Sequence, residues 1–235
     1  MSEDIYSFKP VAHIRTGFSE KFGIPRQASL VPDAKGRIVF ENEFRHPDII
    51  KGIEEFERLW LLFVFSENVR GKWNATVTPP RLGGKEHKGV FATRAPFRPN
   101  PIGLSCVKLE EVIHDEKDGD ILIVSGVDML DGTPILDIKP YITYADAWPG
   151  AASGFADRED QMILDLEIPE EFLDAIGPDI RGAVRDIIRQ DPRPAFIHDE
   201  DRIWGVSYDG LNIRFKVRDK TAVVCEVGKT ANFPQ

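Results

Sequence analysis

No G-x-G-x-x-G follows a candidate strand in this sequence, no Walker loop occurs, and no H-E-x-x-H or metal-spaced His/Cys group is present. A glycine-cradled phosphate site on a parallel sheet is therefore not expected, and neither is a bound metal. Gly83 and Gly84 do precede Lys85, but no helix-forming run follows them, so they read as a flexible loop. Only two cysteines occur, Cys106 and Cys225, far apart and inside apolar runs, which argues against a disulfide framework and reads as two buried thiols. No apolar run reaches the roughly 18 residues of a membrane span. The opening "MSEDIYSFKP" carries acids where a secretory signal carries bases, so no membrane association and a cytoplasmic location are expected.

What is present is an ordinary globular composition, 42% hydrophobic and 29% charged, over 235 residues. That is enough chain for two unequal domains and excludes a mainly disordered protein. The net charge of −9 excludes a polyanion binder held by overall charge, but charge is unevenly spread. Seven basic residues (Arg70, Lys72, Arg81, Lys85, Lys88, Arg94 and Arg98) face one acid, Glu86, between Arg70 and Pro101, a candidate phosphate-facing surface as well as a plain solvated one.

The first two-thirds reads as short strands between turn-rich loops: "VAHIRTGF", "RIVFE", "LWLLFVF", "GVFAT", "LSCVKLEEV" and "ILIVSGVDML". The expectation is a β-rich barrel or sandwich. Ile49, Ile53, Phe56 and Trp60 follow helical spacing behind Asp48 as an N-cap, which predicts a helix over about 48–59 lying across the barrel. A linker is expected over 147–161, and the domain boundary falls at 155/156. Beyond it, "PEEFLDAI" and "PDIRGAVRDIIRQ" read as two proline-opened helices, the second buried through Ile180, Val184, Ile187 and Ile188. A period-two meander follows around Asp209-Gly210, with Leu211, Ile213, Phe215 and Val217 on one face of its central strand and Asn212, Arg214, Lys216 and Arg218 on the other. The second unit is thus α+β.

Two stretches carry candidate chemistry. In "FRPNP" each proline fixes its own φ and pushes the preceding Arg98 and Asn100 toward extended geometry, so a guanidinium and a carboxamide are preorganised for a ligand or simply brace the barrel. In "DMLDGTPILDIKPY", Asp128 and Asp131 could hold an ammonium or a ribose, and Lys139 and Tyr141, beside Asp137, could hold an anion or manage a proton. An Asx-turn with a solvated Asp-Lys pair accounts for the same residues.

The whole of "GVFATRAPFRPNPIGLS" around the first stretch, with "DMLDGTPILDIKPY", "KFGIPRQ", "PPRLGG" and "QDPRPA", resembles the TsaA-like family, and over nearly the whole chain its bacterial TrmO (YaeB) branch of tRNA methyltransferases. The resemblance implies a small antiparallel TsaA-like β-barrel, non-Rossmann, spanning residues 1–155, with a smaller α+β domain over 156–235. It implies S-adenosylmethionine-dependent N-methylation of threonylcarbamoyladenosine beside the anticodon of tRNA, by a homodimer with the cofactor near the subunit interface. Cofactor contacts are implied at Arg26, Gln27, Ala28, Arg94, Leu104 and Asp128, Met129, Leu130 and Asp131. Ser66 and Glu67 stand where several relatives have a His-Gln pair, and are implied to touch the cofactor too. Arg98, Asn100, Asp137, Lys139 and Tyr141 are then the expected catalytic group, aligning the ureido nitrogen and the threonyl moiety. Arg193 of "QDPRPA" is expected to contact RNA or to dock the second domain, and the basic stripes to hold anticodon stem-loop phosphates. The competing readings are methylation of a small molecule or another RNA base, and a non-catalytic cofactor- or RNA-binding regulator.

Overall fold

The computed structural model describes residues 5–69, 73–79, 86–158, 163–194, 197 and 199–232. Its first eight strands are β1 (Ala12–Thr16), β2 (Lys35–Phe40), β3 (Arg58–Val64), β4 (Thr76–Val77), β5 (Lys88–Gly89), β6 (Ile102–Asp115), β7 (Gly119–Ser125) and β8 (Thr133–Pro140). Six of them close into an antiparallel barrel in the order β1-β2-β7-β6-β3-β8, which leaves no open sheet edge among those six. The alternation that marks them in sequence fills the interior: Ala12 and Ile14, Ile38 and Phe40, Leu59, Leu61 and Phe63, Val107, Leu122 and Val124 are all buried. β4 and β5 form a separate two-stranded ribbon, Thr76 opposite Gly89 and Val77 opposite Lys88.

The helix expected over 48–59 is absent. Its place is taken by two 3-10 turns, Pro47–Ile50 and Ile53–Glu55, separated by Gly52 at φ 83°. Left-handed backbone there ends any helix, and the cap is His46, whose ring accepts from the Asp48 amide, rather than Asp48. Ile53 and Phe56 do pack on the core, but Trp60 is already in β3, so the apparent helical spacing spans two kinds of structure. "GVFAT" is likewise mostly not strand: β5 stops at Gly89 and a 3-10 turn, Val90–Ala92, buries Val90 and leaves Phe91 exposed.

After a one-turn helix α1 (Thr143–Asp146) and an exposed stretch, the chain forms β9 (Asp165–Glu167), α2 (Glu170–Ile176), α3 (Pro178–Arg189) and the strands β10 (Trp204–Tyr208), β11 (Leu211–Arg218) and β12 (Thr221–Lys229). The sheet order is β10-β11-β12-β9, with β9 parallel to β12. The short β9 has no counterpart among the strands expected from sequence: three residues carry too little pattern to be read. α3 buries Ala183, Val184, Ile187 and Ile188, with Ile180 at the margin. The fold is therefore mainly β, a closed barrel followed by a smaller α+β region.

The segment after β1 sits between the two. The Asp209 amide donates to the Gly17 carbonyl at 2.9 Å, Phe18 lies 5.0 Å from the Tyr208 ring, and Phe22 stacks on Trp204 at 5.9 Å. A Cβ on Gly17 would stand 2.8 Å from the Tyr208 ring, so only glycine permits this approach. The thiols depart from expectation. Cys106 is only half-buried, on an outward position of β6, and Cys225 is exposed because it is the extra residue of a bulge opposite Arg214 and Phe215.

Candidate functional site

Pairing of β3 with β6, ending at Val64 opposite Ile102, places the turn after "FVF" beside the proline-rich loop. The Phe65 amide donates to the Pro101 carbonyl at 2.9 Å, and the Ile102 amide to the Asn100 carbonyl at 2.7 Å, a three-residue turn centred on Pro101 whose fixed φ suits it. At the same end of the barrel lie residues 24–27 and the loop after β7. Between them opens a cavity of about 690 Å³. That is within the range of sites for drug-sized ligands.

Of the residues expected at a cofactor, Arg26, Gln27, Ser66, Glu67, Arg94, Leu104, Asp128, Met129 and Leu130 line this cavity, as do Arg98 and Asn100. Ala28 is not in the lining, but its amide hydrogen-bonds Asp128. Asp131 turns away: its carboxylate accepts from the Thr16 amide at 3.0 Å and lies 3.6 Å from Arg15, tying the loop to β1. Asp137, Lys139 and Tyr141 are not in the lining either. Thr133 lines the cavity, and four residues along β8 carry the chain about 13 Å further. Asp137 and Lys139 form an ion pair at 2.7 Å, open to solvent, and the Tyr141 ring lies 5.9 Å from Trp60, whose indole N–H donates to Asp146. Of the basic run, Arg70, Lys72, Arg81 and Lys85 lie outside the described residues, as does most of "PPRLGG"; Lys88 pairs with Glu86 at 2.9 Å.

Asp128 is the chemically distinctive group. Ser105 Oγ donates to its Oδ1 at 2.6 Å, yet burial outweighs this bond, the amide bonds from Asp128 and Ala28, and the nearby Arg94, and raises the carboxyl to about 6. Arg94 Nη1 donates to Gln27 Oε1, and Gln27 Nε2 to the Arg26 carbonyl at 2.6 Å. Arg98 Nη1 donates to the Thr93 carbonyl at 3.1 Å, with its guanidinium 6.0 Å from the Phe91 ring centre. Lys21 donates to the Glu67 carbonyl at 3.3 Å and to Asn68 Oδ1 at 2.8 Å, fixing the turn after β3. Four bases (Lys21, Arg26, Arg94, Arg98) and two acids (Glu67, Asp128) line the cavity, a local excess of positive charge on an acidic protein.

Lys21, Phe63, Phe65, Thr93, Gly103 and Ser105 also line it, and none of them is among the site residues expected from the sequence. Ser105 leaves a signal: a hydroxyl between Gly103 and Val107 at an inward position of an otherwise apolar alternation. Gly103 shapes the wall by absence. A Cβ there would run into the Phe63 ring. Gly103→Ala is accordingly expected to displace that ring, lower stability by about 1–3 kcal/mol and narrow the cavity, read by denaturant melts and ligand titration of the same preparation.

The class defined so far is a small closed β-barrel with a mixed polar and apolar ligand cavity at one rim and an α+β unit packed beside it, not a doubly wound nucleotide-binding sheet. Residues 13–147 match the tRNA-methyltransferase O N-terminal domain and residues 169–230 the TrmO C-terminal domain. The chain belongs to the tRNA-methyltransferase O family. It is 39% identical over 222 residues to the tRNA (adenine(37)-N6)-methyltransferase of Escherichia coli K12, covering 91% of this chain and 94% of that one. It is 41% identical over 218 residues to a putative S-adenosylmethionine-dependent methyltransferase of Pseudomonas aeruginosa, covering 89% and 92%. The crystal structure of TrmO from Pseudomonas aeruginosa superposes with a TM-score of 0.77 at 34% identity, covering 97% of this chain and 99% of that one.

Proposed function

We propose that this chain is an S-adenosylmethionine-dependent tRNA methyltransferase acting on N6 of adenosine 37, and that its substrate is the threonylcarbamoyl form of that base. The observation that carries the reading is the cavity itself. Its lining brings together the Asp128 carboxylate, an Arg94–Gln27 pair and the proline-stiffened Arg98 and Asn100. Its residues fit the methyl donor. Asp128 and Glu67 suit ribose hydroxyls or an ammonium, Arg26 and Arg94 a carboxylate, and Phe63, Phe65, Leu104 and Met129 an adenine face.

The donor, when bound, supplies an electrophilic methyl on a positively charged sulfur. The chain's own task is positioning: a ureido nitrogen must be aligned with that methyl, which is worth several kcal/mol when the groups are already held, and its proton must pass to a base or water as the bond to carbon forms. Arg98 and Asn100 would grip the threonyl carboxylate and carbonyl, in a loop that loses little freedom on binding. Asp137, Lys139 and Tyr141 enter the reading through a homodimer in which a second copy brings them to the cavity. The barrel of residues 1–155 would carry the donor. The 156–235 unit would present Arg214, Lys216 and Arg218 on β11 to anticodon stem-loop phosphates, Arg214 exchanging its 3.2 Å contact with Glu226 for a phosphate. A cytoplasmic location completes the reading, in keeping with the absence, among the described residues, of any helix long and apolar enough to cross a membrane.

The test supplies labelled S-adenosylmethionine with bulk tRNA from cells that have or lack the threonylcarbamoyl modification, followed by nucleoside mass spectrometry. Label is expected only on the modified pool. Label on both pools, or on neither, overturns the substrate assignment, and donor binding without any methylated product would point to a non-catalytic regulator.

A further inference from the structure

Arg193 stands in a motif that suggests RNA contact or domain docking, and its surroundings define a different task. Arg193 Nε and Nη2 bind Asp191 Oδ1 and Oδ2 at 2.7 and 2.9 Å, a two-point pair whose side chains are only 10% and 14% exposed. Such a pair is rigid, and removing one partner strands the other charge. The Arg193 amide also points at Asp191 Oδ1, at 3.3 Å. Asp191 itself sits at φ 46°, left-handed backbone just past the end of α3, where its amide donates to the Ile188 carbonyl at 3.1 Å. The consequence is a fixed Asp191 carbonyl, which accepts from Arg26 Nη2 at 3.1 Å.

From Arg26 the chain of bonds continues into the cavity. The Arg26 carbonyl accepts from Gln27 Nε2, and Gln27 Oε1 accepts from Arg94, which in turn bears electrostatically on Asp128. Because the Gln27 carboxamide faces a carbonyl at one end and a guanidinium at the other, its orientation is forced. Arg26, Gln27, Arg94 and Asp128 all line the cavity, whereas Asp191 and Arg193 do not. The same segment packs on the C-terminal unit: Phe22 stacks on Trp204, and a Cβ on Gly23, at φ 93°, would meet Val206 of β10 at 3.2 Å and Ile187 of α3 at 3.6 Å.

We infer that the Asp191–Arg193 pair is a positioning element for the methyl-donor wall: it sets Arg26 from outside the cavity and, through Gln27, orients Arg94. The inference rests on the donor reading proposed above. It assigns the C-terminal unit a part in donor binding that needs no tRNA. Arg193 touches neither reactant and acts through Arg26.

The test is titration calorimetry with S-adenosylhomocysteine, in the absence of tRNA, on the full chain. Arg193→Ala is expected to raise Kd by about tenfold or more, the loss that follows when a charged hydrogen-bond network is cut. Arg193→Lys, which keeps the charge without the two-point fork, should fall between it and the parent chain. Arg185→Ala, an exposed change on α3 of the same unit, should leave Kd unchanged. The Arg26→Ala/Arg193→Ala pair should bind no more weakly than Arg26→Ala alone, because both act through one path. Circular dichroism at the titration temperature confirms folding. Where Arg193→Ala does not fold, the decision passes to Arg193→Lys: an unchanged Kd there overturns the inference. So does a folded Arg193→Ala with parental Kd, or full additivity in the double variant. A parent chain that gives no binding refutes the donor reading instead, a result separate from all of these.

Discussion

Arg98→Ala and Asn100→Ala are each expected to lower kcat/KM for threonylcarbamoylated tRNA by about a hundredfold while moving the melting temperature by no more than a few degrees. The catalytic figure follows from removing one preorganised hydrogen-bonding group at a reacting centre. The small stability effect follows from the local structure. Asn100 is exposed, and its carboxamide makes no hydrogen bond to the described residues; only its backbone carbonyl serves the fold, by accepting from the Ile102 amide. Alanine keeps that carbonyl. Arg98 uses one of its five N–H donors on the Thr93 carbonyl and rests near the exposed Phe91 ring, contacts of modest value at a surface. Pro96, Pro99 and Pro101 remain to hold the loop. Steady-state kinetics beside thermal melts checks this. A fall in activity that merely tracks a loss of folded protein would return the loop to a bracing role.

The barrel is legible in sequence because its strands carry their signal in the simplest code available, one face apolar and one not, as in Leu59, Leu61 and Phe63 of β3. The 48–59 segment misleads for the same reason in reverse. Ile49, Ile53, Phe56 and Trp60 are apolar at helical intervals, but Gly52 takes a left-handed conformation between two short turns, and a sequence pattern does not weigh one backbone angle against four side chains. The cavity is legible only through long motifs. No spacing rule links Gln27 to Arg94, which meet because β3 and β6 deliver the proline loop to the rim where residues 24–27 cross. Asp137, Lys139 and Tyr141 share a motif with Asp128, yet Asp137 and Lys139 lie four and six residues along β8 from Thr133 at the cavity, and Tyr141 lies past the strand's end. Arg193, ambiguous in sequence, becomes interpretable only once Asp191 is seen to neutralise it.

Asp128→Asn is expected to do two opposite things: raise stability above pH 6 by about 1 kcal/mol and weaken binding of S-adenosylhomocysteine by about ten- to a hundredfold. The carboxyl is raised from 3.8 to about 6 in the folded protein, chiefly by burial. Between those values the folded chain binds more protons at this site than the unfolded chain, so the group's contribution to stability falls as pH rises across the window. Above pH 6 the ionised carboxylate destabilises the fold by about 3 kcal/mol relative to its protonated form, a tenfold change in proton affinity being worth about 1.4 kcal/mol. Asparagine removes that charge but sets an amide N–H₂ among the backbone N–H groups of residues 28 and 128, which returns part of the gain. The ligand sees the other side of the same ionisation. A carboxylate accepts from ribose hydroxyls or an ammonium far better than a neutral acid does, so donor affinity should rise as pH rises through 6 in the parent chain and stay flat in the variant. Denaturant melts and calorimetry from about pH 4.5 to 8 span the upper part of that window and the folded-state value, and measure both slopes. Parental affinity in Asp128→Asn would remove this carboxylate from the donor site, whereas a more stable variant that binds poorly would show a buried charge kept for the ligand at the expense of the fold.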